Sequence, residues 1–361
     1  MRLNLLLNSF LEDLKFKVKL NIMSKENIKE LLDKANSGLS LTLKEAEILF
    51  NVEGENFKKL LEVSLQIFFR KTGGKVSFYE KAFPPISITG YNCELNCKHC
   101  NKYYLKHMIP AENQEKLVNI GKILHKQGIK GILLSGGSRK DGVVPLNLFL
   151  DAIKTLKEKF NFFIEAHTGL IGYEDSKNLV KAGVDAMLPD VVGDAKTTMQ
   201  VYGLNIKPTD YEKMLKDMKK AGVKNISPHI CIGLDFGVIK GELKALEIVS
   251  KYPPSVLVLT ILIPTIGTAM ENVQPPKPED VAKIVAIANL MLPETPISLG
   301  CVRPGGVYRD AVDSLAIKAG ISSIAVPSKS ALMEAEKLGL RVKRFKENMC
   351  CCAVNIEEIK F

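Results

Sequence analysis

The sequence lacks any stretch of about eighteen uninterrupted apolar residues, which is the length a helix needs to cross a bilayer. Its start, MRLNLLLNSFLEDLKFKVKL, holds a short apolar patch that Glu12 and Asp13 interrupt, and no small-residue cleavage site of a secreted protein follows. We therefore expect a cytoplasmic protein without a membrane partner. Met23 is an alternative start to Met1.

Low-complexity tracts and linkers are also absent, and the composition, 46% hydrophobic and 25% charged, is that of a globular chain. At 361 residues the chain is long enough for one large domain and an appendage. The net charge of +10 comes from lysines interleaved with acids, as in DYEKMLKDMKKAGVK, rather than from a basic cluster. This pattern predicts a solvated surface and no nucleic-acid partner, although the charge favours an acidic electron carrier or carrier domain.

The cysteines do not follow an obvious disulfide framework. All eight are accounted for by positions 93, 97, 100, 231, 301, 350, 351 and 352. In a chain without a secretion signal, such grouping points to metal or redox chemistry.

After Pro84 the sequence repeats one pattern, in which a short segment rich in Val, Ile and Leu precedes a Gly- or Pro-containing loop and an amphipathic helix. The predicted strands are 86–90, 131–136, 162–167, 185–191, 226–233, 256–264, 297–301 and 322–327. The predicted helices are 112–127, 145–159, 208–221, 239–250, 277–291 and 307–319. Eight such units predict an α/β fold, a (β/α)₈ TIM-type barrel, with functional groups at the carboxyl ends of the strands.

Residues 25–80 have helical periodicity instead, with Ser, Thr or Asn near the start of each segment. We predict three regions. They are a helical N-terminal extension (1–80), the barrel (81–345) and a Cys-rich C-terminal tail (346–361).

The segment GYNCELNCKHCNKYY follows the first predicted strand and contains Cys93, Cys97 and Cys100. Structural zinc normally takes four ligands, commonly from two pairs, and no second pair with suitable spacing follows. Three thiolates can instead hold three irons of a [4Fe–4S] cluster and leave the fourth iron open to a non-protein ligand. Three incidental or buried cysteines are the alternative.

This spacing of three and then two intervening residues, after the first barrel strand, resembles the fingerprint of the radical S-adenosylmethionine (SAM) enzymes. The resemblance implies that SAM chelates the open iron and that the reduced cluster cleaves SAM to methionine and a 5′-deoxyadenosyl radical. That radical then abstracts a hydrogen from the substrate. The cofactor carries the radical chemistry, while the barrel supplies orientation and a dry cavity. An electron donor such as ferredoxin or flavodoxin is implied as well.

The same resemblance assigns further residues to SAM. Gly136, Gly137 and Ser138 follow the second strand, where the family has a Gly-Gly-Glu-like motif that receives the SAM amino group. Since Ser138 replaces the acid, backbone carbonyls would do most of this work. His99 takes the position of an aromatic residue near adenine, with a solvated loop histidine as the alternative. Asp190 falls where a polar residue holds the SAM ribose.

Over about residues 40–345 the resemblance is to the biotin synthase and lipoyl synthase branch, and it implies that Arg303 is a substrate-side arginine. Biotin synthase holds an auxiliary [2Fe–2S] cluster with three cysteines and an arginine. The matching strand positions here are Leu133 or Leu134, Glu165 and Ser227. The cysteine trio and serine motif of bacterial lipoyl synthase are missing too. These departures argue against biotin synthesis itself.

The strand residues Glu165 and His167 are two apart and share one face. We expect Glu165 to contact SAM and His167 to orient the substrate or transfer a proton. Cys231 and His229 are two residues apart on the fifth strand, so their side chains can point to the same face.

Cys301 ends the seventh strand, and we expect its side chain in the cavity, with a buried core cysteine as the alternative. In the tail, Cys350 and Cys352 can face one ligand, because the intervening Cys351 of an extended segment points to the other side. With Cys301 they are candidates for a second iron–sulfur cluster or a sulfur relay. A flexible thiol-rich tail is the alternative.

The predicted reaction removes hydrogen from an unactivated carbon of a small-molecule or carrier-bound substrate, gripped near His167, His229, Cys301 and Arg303. The surplus cysteines favour sulfur insertion in cofactor biosynthesis. Radical rearrangement or fragmentation in cofactor or hydrogenase maturation is the second hypothesis. A non-catalytic iron–sulfur or zinc-binding barrel is the third.

Overall fold

The structure is a computed structural model that describes residues 24–349. Met1, Met23 and the three tail thiols Cys350, Cys351 and Cys352 lie outside the described residues.

Three helices precede the barrel and form the predicted helical extension. They are α1 (Ser24–Asn36), α2 (Leu43–Phe50) and α3 (Gly54–Thr72). Thr42 starts α2 with a capping box, because its side chain accepts the Glu45 N–H while the Glu45 carboxylate accepts the Thr42 N–H. Gly73, at φ +62°, ends α3 in the left-handed conformation that glycine adopts without strain.

The barrel consists of short parallel strands at all eight predicted places. These are β2 (Pro85–Ser87), β4 (Gly131–Ser135), β5 (Phe163–Ala166), β6 (Ala186–Met187), β7 with β8 (Asn225–Ile226, His229–Ile232), β9 (Leu257–Ile261), β10 (Ile297–Leu299) and β11 (Ser323–Ala325). The later helices are α4 (Gln114–Lys126), α5 (Leu150–Phe160), α6 (Tyr173–Ala182), α7 (Ala195–Tyr202), α8 (Pro208–Lys220), α9 (Glu242–Ser250), α10 (Pro278–Met291), α11 (Gly306–Lys318) and α12 (Lys329–Lys337). The predicted (β/α)₈ fold is confirmed.

The strands form two six-stranded sheets that continue into each other at two interrupted strands. At one place Pro228 separates β7 from β8, and an Asp190–His229 bridge links the sheets. At the other, the strand Lys75–Lys81 (β1) of one sheet leads through three residues into β2 of the other. The ring of parallel strands therefore passes from one sheet to the next through these two segments.

Three strands were not predicted, namely β1, β3 (Ile109–Pro110) and β12 (Arg341–Asn348). β1 pairs in parallel with β11 on one side and with β12 on the other. β12 is an edge strand with no fully buried side chain, so its sequence, RVKRFKEN, has no apolar run to reveal it. Helices α6, α7 and α12 were missed as well.

Apolar side chains fill the amino-terminal part of the barrel interior. Phe83, Leu133, Phe163, Ala186, Leu188, Val256 and Val258 form this interior plug. Gly131 makes room for it, because a Cβ there would lie 2.3 Å from the Phe83 ring. The plug closes one end of the barrel and leaves the carboxyl ends of the strands to line a cavity.

The helix α10 lies between the barrel and the extension, and every residue from Val281 to Met291 is buried. It packs against both α2 and α3. No helix within residues 24–349 combines the length and the apolar character required to span a membrane.

Candidate functional site

A cavity of about 360 Å³ opens at the carboxyl ends of the strands, beyond the interior plug. This is the size of a small-molecule site, and most of its wall is made of leucine, isoleucine and other apolar side chains. Fifteen polar residues from different strands and loops also belong to this wall: Cys93, Cys97, His99, Cys100, Lys102, Tyr104, Ser135, Ser138, His167, Asp190, Tyr202, Tyr211, His229, Cys231 and Thr260.

The loop after β2 brings the three predicted ligands Cys93, Cys97 and Cys100 to one end of this cavity, where each is partly buried. Hydrogen bonds fold the loop on itself, since the Cys100 N–H donates to the Cys97 carbonyl at 3.1 Å. Contacts with other elements hold it from outside, such as the Lys98 N–H donating to the carbonyl of Val201 in helix α7 at 2.8 Å. We call these three side chains the thiol triad.

The electrostatics of the thiol triad favour a bound metal centre. Burial, together with the neighbouring Cys100 and Cys93, raises the pKa of the Cys97 thiol to about 12. Three thiolates at this place therefore need a strongly cationic partner. In residues 24–349, no three His, Cys, Asp or Glu side chains converge on a point that one metal ion would occupy. A cluster accommodates a wider triad, because each thiolate binds a different iron.

The loop after β4 packs directly on the loop of the thiol triad. The Ser138 carbonyl accepts the Glu94 N–H at 2.9 Å and lies 3.7 Å from the Cys93 sulfur, which donates to it. A Cβ on Gly137 would lie 2.0 Å from the Asn92 carbonyl oxygen and 2.6 Å from the Cys93 Cα. Gly137 therefore lets the two loops touch, a role that the sequence did not reveal.

His99 and Asp190, both predicted to contact SAM, border the same cavity as the thiol triad. The His99 ring meets the Tyr202 ring edge-on with centroids 5.4 Å apart, and its buried Nδ1 has no hydrogen-bond partner among the described residues. Burial lowers the pKa of His99 to about 4, so the ring is neutral near pH 7. The Asp190 carboxyl opens to the cavity, and desolvation by the surrounding protein raises its pKa, with a smaller opposing effect of His229.

His167 and His229 form the polar floor of the cavity. Their rings lie edge to face with centroids 5.4 Å apart, and the Ser135 hydroxyl lies 3.4 Å from the His167 Nδ1. The His229 Nδ1 lies 3.0 Å from the Ser227 carbonyl, which can only accept, so Nδ1 carries a proton. Glu165 is buried one step below His167 on the same face of β5, and it does not border the cavity.

The structure corrects the expected positions of Arg303 and Cys301. Neither borders the cavity, and the Cys301 side chain is exposed. The Arg303 guanidinium is buried and all five of its N–H groups are engaged. It pairs with Asp313 at 2.8 and 3.0 Å and donates to the carbonyls of Gly300, Ala325 and Val326. No N–H group remains to grip a substrate.

Sequence reasoning missed six polar residues of the cavity wall, namely Lys102, Tyr104, Ser135, Tyr202, Tyr211 and Thr260. The first two lie within or next to the motif CKHCNKYY, and this proximity to Cys100 was an available signal. Tyr202 ends helix α7, which was not predicted, so nothing in the pattern placed it near the cysteines.

Residues 87–237, which run from β2 to the loop after β8 and include the whole thiol triad, match the radical SAM superfamily. The chain carries a radical SAM domain. A [4Fe–4S] cluster and SAM are the cofactors of this superfamily, so the prediction of these two cofactors is confirmed, while the second iron–sulfur cluster stays a prediction.

Curated relatives extend this likeness beyond the domain. The chain is 26% identical over 290 residues to biotin synthase of Geotalea daltonii, covering 76% of this chain and 83% of that protein. It is 23% identical to biotin synthase of Pelotomaculum thermopropionicum, covering 82% and 91%. The predicted resemblance to the biotin synthase branch is confirmed.

Solved structures share the fold. HydG, a maturase of the [FeFe]-hydrogenase, superposes with a TM-score of 0.70 at 18% identity and covers 93% of this chain and 79% of its own. Methylornithine synthase (PylB) gives 0.62 at 17% identity and covers 87% and 97%. At these identities the likeness shows the fold alone.

Proposed function

We propose that the thiol triad holds the [4Fe–4S] cluster and that the protein uses it with SAM to abstract hydrogen from a small substrate in the cavity. When bound, these two cofactors supply a 5′-deoxyadenosyl radical. One observation carries the proposal: three thiols from one loop border a single cavity, yet they do not converge as ligands of one metal ion.

The loop after β4 would supply a hydrogen-bond acceptor for the SAM amino group. The Ser138 carbonyl oxygen has two lone pairs, and the Glu94 N–H occupies one. The Cys93 thiol donates to the same oxygen, so loss of that proton on iron binding releases the second lone pair. A backbone carbonyl at this position can accept from an ammonium group in place of the missing acid.

His99 and Asp190 are suited to hold the nucleoside. The unpartnered, buried Nδ1 of the neutral His99 ring needs a hydrogen-bond partner, and a bound ligand can supply it. The Asp190 carboxyl faces the same cavity and can accept from hydroxyl groups of a ribose.

His229 and His167 would orient the substrate on the far side. Because the His229 Nδ1 donates to the Ser227 carbonyl, Nε2 is the acceptor of its neutral ring. Apolar side chains such as Leu170, Leu234 and Ile261 also line the cavity, and Lys102 is the one Lys or Arg side chain among the described residues that border it. We therefore infer a substrate with an apolar body and a hydrogen-bonding head.

Among reaction types, the cavity favours rearrangement or fragmentation over sulfur insertion. Insertion requires a sulfur source, and the one thiol besides the triad that borders the cavity within residues 24–349 is Cys231. Cys301 is exposed outside it, and by resemblance to biotin synthase the positions of the auxiliary-cluster cysteines hold Leu133 or Leu134, Glu165 and Ser227 here. We expect about four irons per chain after reconstitution, as one cubane requires, and about eight would favour sulfur insertion.

A one-electron donor must reach the cluster. Lys98 and Lys106 are exposed next to the thiol triad, which suits an acidic protein of the ferredoxin or flavodoxin type. Reduction by such a donor should slow as ionic strength rises, because salt screens exposed charges.

SAM cleavage tests the proposal without knowledge of the substrate. Anaerobically reconstituted protein, reduced with dithionite, should convert SAM to 5′-deoxyadenosine and methionine. The Cys97→Ser variant should lose this reaction, and Cys301→Ser, which alters an exposed thiol outside the cavity, should keep it. Bound zinc without SAM cleavage in the wild type would instead identify a scaffold.

A further inference from the structure

The side chain of Cys231 lies in the cavity wall, on the strand β8. Along this strand Ile230 and Ile232 are buried at 2% and 0% exposure, whereas His229 and Cys231 are partly exposed and border the cavity. This alternation places the two apolar side chains outward and the Cys231 thiol inward.

Two neighbours fix the Cys231 thiol at the cavity. Cys231 pairs in register with Thr260 on β9, and the Thr260 side chain also borders the cavity. His229 lies two residues earlier on the same face, so the thiol stands one step closer to the carboxyl end of the barrel. The thiol therefore lies between the histidine floor and the end at which the thiol triad lies.

An independent observation marks this space as a ligand site. The buried Nδ1 of His99, which borders the same cavity, has no hydrogen-bond partner among the described residues. A buried polar atom left in this state indicates a missing partner. Cys231 therefore faces a space that a ligand is expected to fill.

We propose that Cys231 donates a hydrogen atom to carbon radicals formed in this cavity. The proposal rests on the function proposed above. SAM and the cluster, when bound, would supply the radical that removes hydrogen from a substrate carbon, and the rearranged substrate radical would then take hydrogen from the Cys231 sulfur. The S–H bond breaks homolytically, a C–H bond forms and a thiyl radical remains. One electron from the protein electron donor and one proton from solvent restore the thiol.

Physical chemistry supports a thiol in this role. An S–H bond is weaker than the C–H bond of an unactivated carbon, so transfer to the carbon radical is downhill. Burial raises the pKa of Cys231 to about 12, and nearby Asp190 and Glu242 add to this effect. The sulfur consequently keeps its hydrogen at neutral pH, whereas a thiolate would have none to give.

Turnover in D₂O without substrate tests the proposal. In D₂O the Cys231 thiol exchanges to S–D. A 5′-deoxyadenosyl radical formed without substrate has no substrate carbon to attack, so it should take deuterium from this thiol. The reaction uses reconstituted full-length protein, SAM and dithionite, with no added thiol. We expect 5′-deoxyadenosine that carries one deuterium. The Cys231→Ser variant should still cleave SAM but form undeuterated product, because the serine O–H bond is too strong to donate. Cys301→Ser should behave as wild type.

Three results would overturn it. Undeuterated product from the wild type excludes an exchangeable donor, and deuterated product from Cys231→Ser assigns the donor to another group, such as the phenols of Tyr104 or Tyr202. Absence of 5′-deoxyadenosine from every variant overturns the proposed function and this proposal together. Cleavage without deuterium overturns this proposal alone.

Alkylation provides a readout that needs no turnover. In cluster-loaded protein at pH 9, where a small thiolate fraction of Cys231 allows slow alkylation, 5′-deoxyadenosine with methionine should slow iodoacetamide labelling of Cys231 and leave the labelling of Cys301 unchanged, as measured by peptide mass spectrometry. Equal labelling of Cys231 with and without these ligands would place its thiol away from the nucleoside and contradict the proposal.

Discussion

Gly137 is the point at which the loop after β4 touches the loop of the thiol triad. Its missing side chain matters for backbone contact, because an added Cβ would collide with the Asn92 carbonyl and the Cys93 Cα. Neither of these backbone atoms can move without shifting Cys93, the first of the proposed cluster ligands. Gly137 would thus position this ligand, in addition to any contact with SAM.

The variant Gly137→Ala should therefore lose bound iron. We expect a clear fall in iron and acid-labile sulfide per chain after anaerobic reconstitution, measured together with the absorbance of the cluster. Gly172→Ala is the matched control, since a Cβ at Gly172 meets no atom within 4 Å. Full iron loading of Gly137→Ala would show that the loops can separate without cost.

Arg303 shows why a correct location in the sequence does not establish a role. It follows β10, at the end of the barrel where functional groups gather, and this invited a substrate role. Its partner Asp313 lies on the following helix, and the three carbonyls come from two strand ends. A buried ion pair of this kind depends on tertiary packing that a sequence pattern does not display.

Removal of the Arg303 guanidinium should destabilise the protein strongly. Arg303→Met leaves the Asp313 carboxylate buried without its partner, which costs about 3–5 kcal/mol of unfolding free energy. Denaturant unfolding measures the loss. Arg344→Met is the control, because the Arg344–Glu80 pair is exposed and such pairs contribute about 0–1 kcal/mol. Equal effects of both variants would contradict the structural role.

The helical extension attaches to the barrel through a buried polar network beside α10. Asn289 donates to the Ser64 hydroxyl and to the carbonyls of Ala319 and Gly320, each at 3.0 Å. Lys71 donates from α3 to the Asn289 side chain and to the Thr295 carbonyl. Periodicity predicted the helices, but it did not indicate which face docks or that a lysine would be buried there.

Lys71 makes the stability of this attachment depend on pH. Burial lowers its pKa from 10.5 to about 7, with a partial opposing effect of Glu294. Between these values the folded protein binds fewer protons than the unfolded chain, so the unfolding free energy rises with pH. The rise begins near pH 7, because below that both states are protonated.

We expect the Lys71 contribution to approach about 1.4 kcal/mol per pH unit between about pH 7.5 and 9.5. Lys71→Met should flatten this slope in denaturant unfolding curves, because the titrating group is gone. Lys58→Met, on the exposed face of the same helix, should keep the wild-type slope. If the unfolding free energy of Lys71→Met rose with pH as steeply as that of the wild type, other titratable groups would be responsible for the pH dependence.

The barrel strands could be predicted because each βα unit repeats a local pattern of apolar segment, loop and amphipathic helix. The strands β1 and β12 could not, because they pair with each other over more than 250 residues of chain and carry mixed polar sequences. The thiol triad was found from spacing within one loop. The far wall of the cavity, including Tyr202 and Thr260, is assembled from distant segments and became visible only in the folded chain.

The central claim is that three thiolates hold a [4Fe–4S] cluster with one iron left for SAM. Electron paramagnetic resonance of the dithionite-reduced, reconstituted protein tests it most directly, with spectra recorded before and after the addition of SAM. We predict the signal of one reduced cubane per chain and a change of its g values when SAM binds the open iron. A cubane signal that SAM leaves unchanged, or no such signal at all, would contradict the claim.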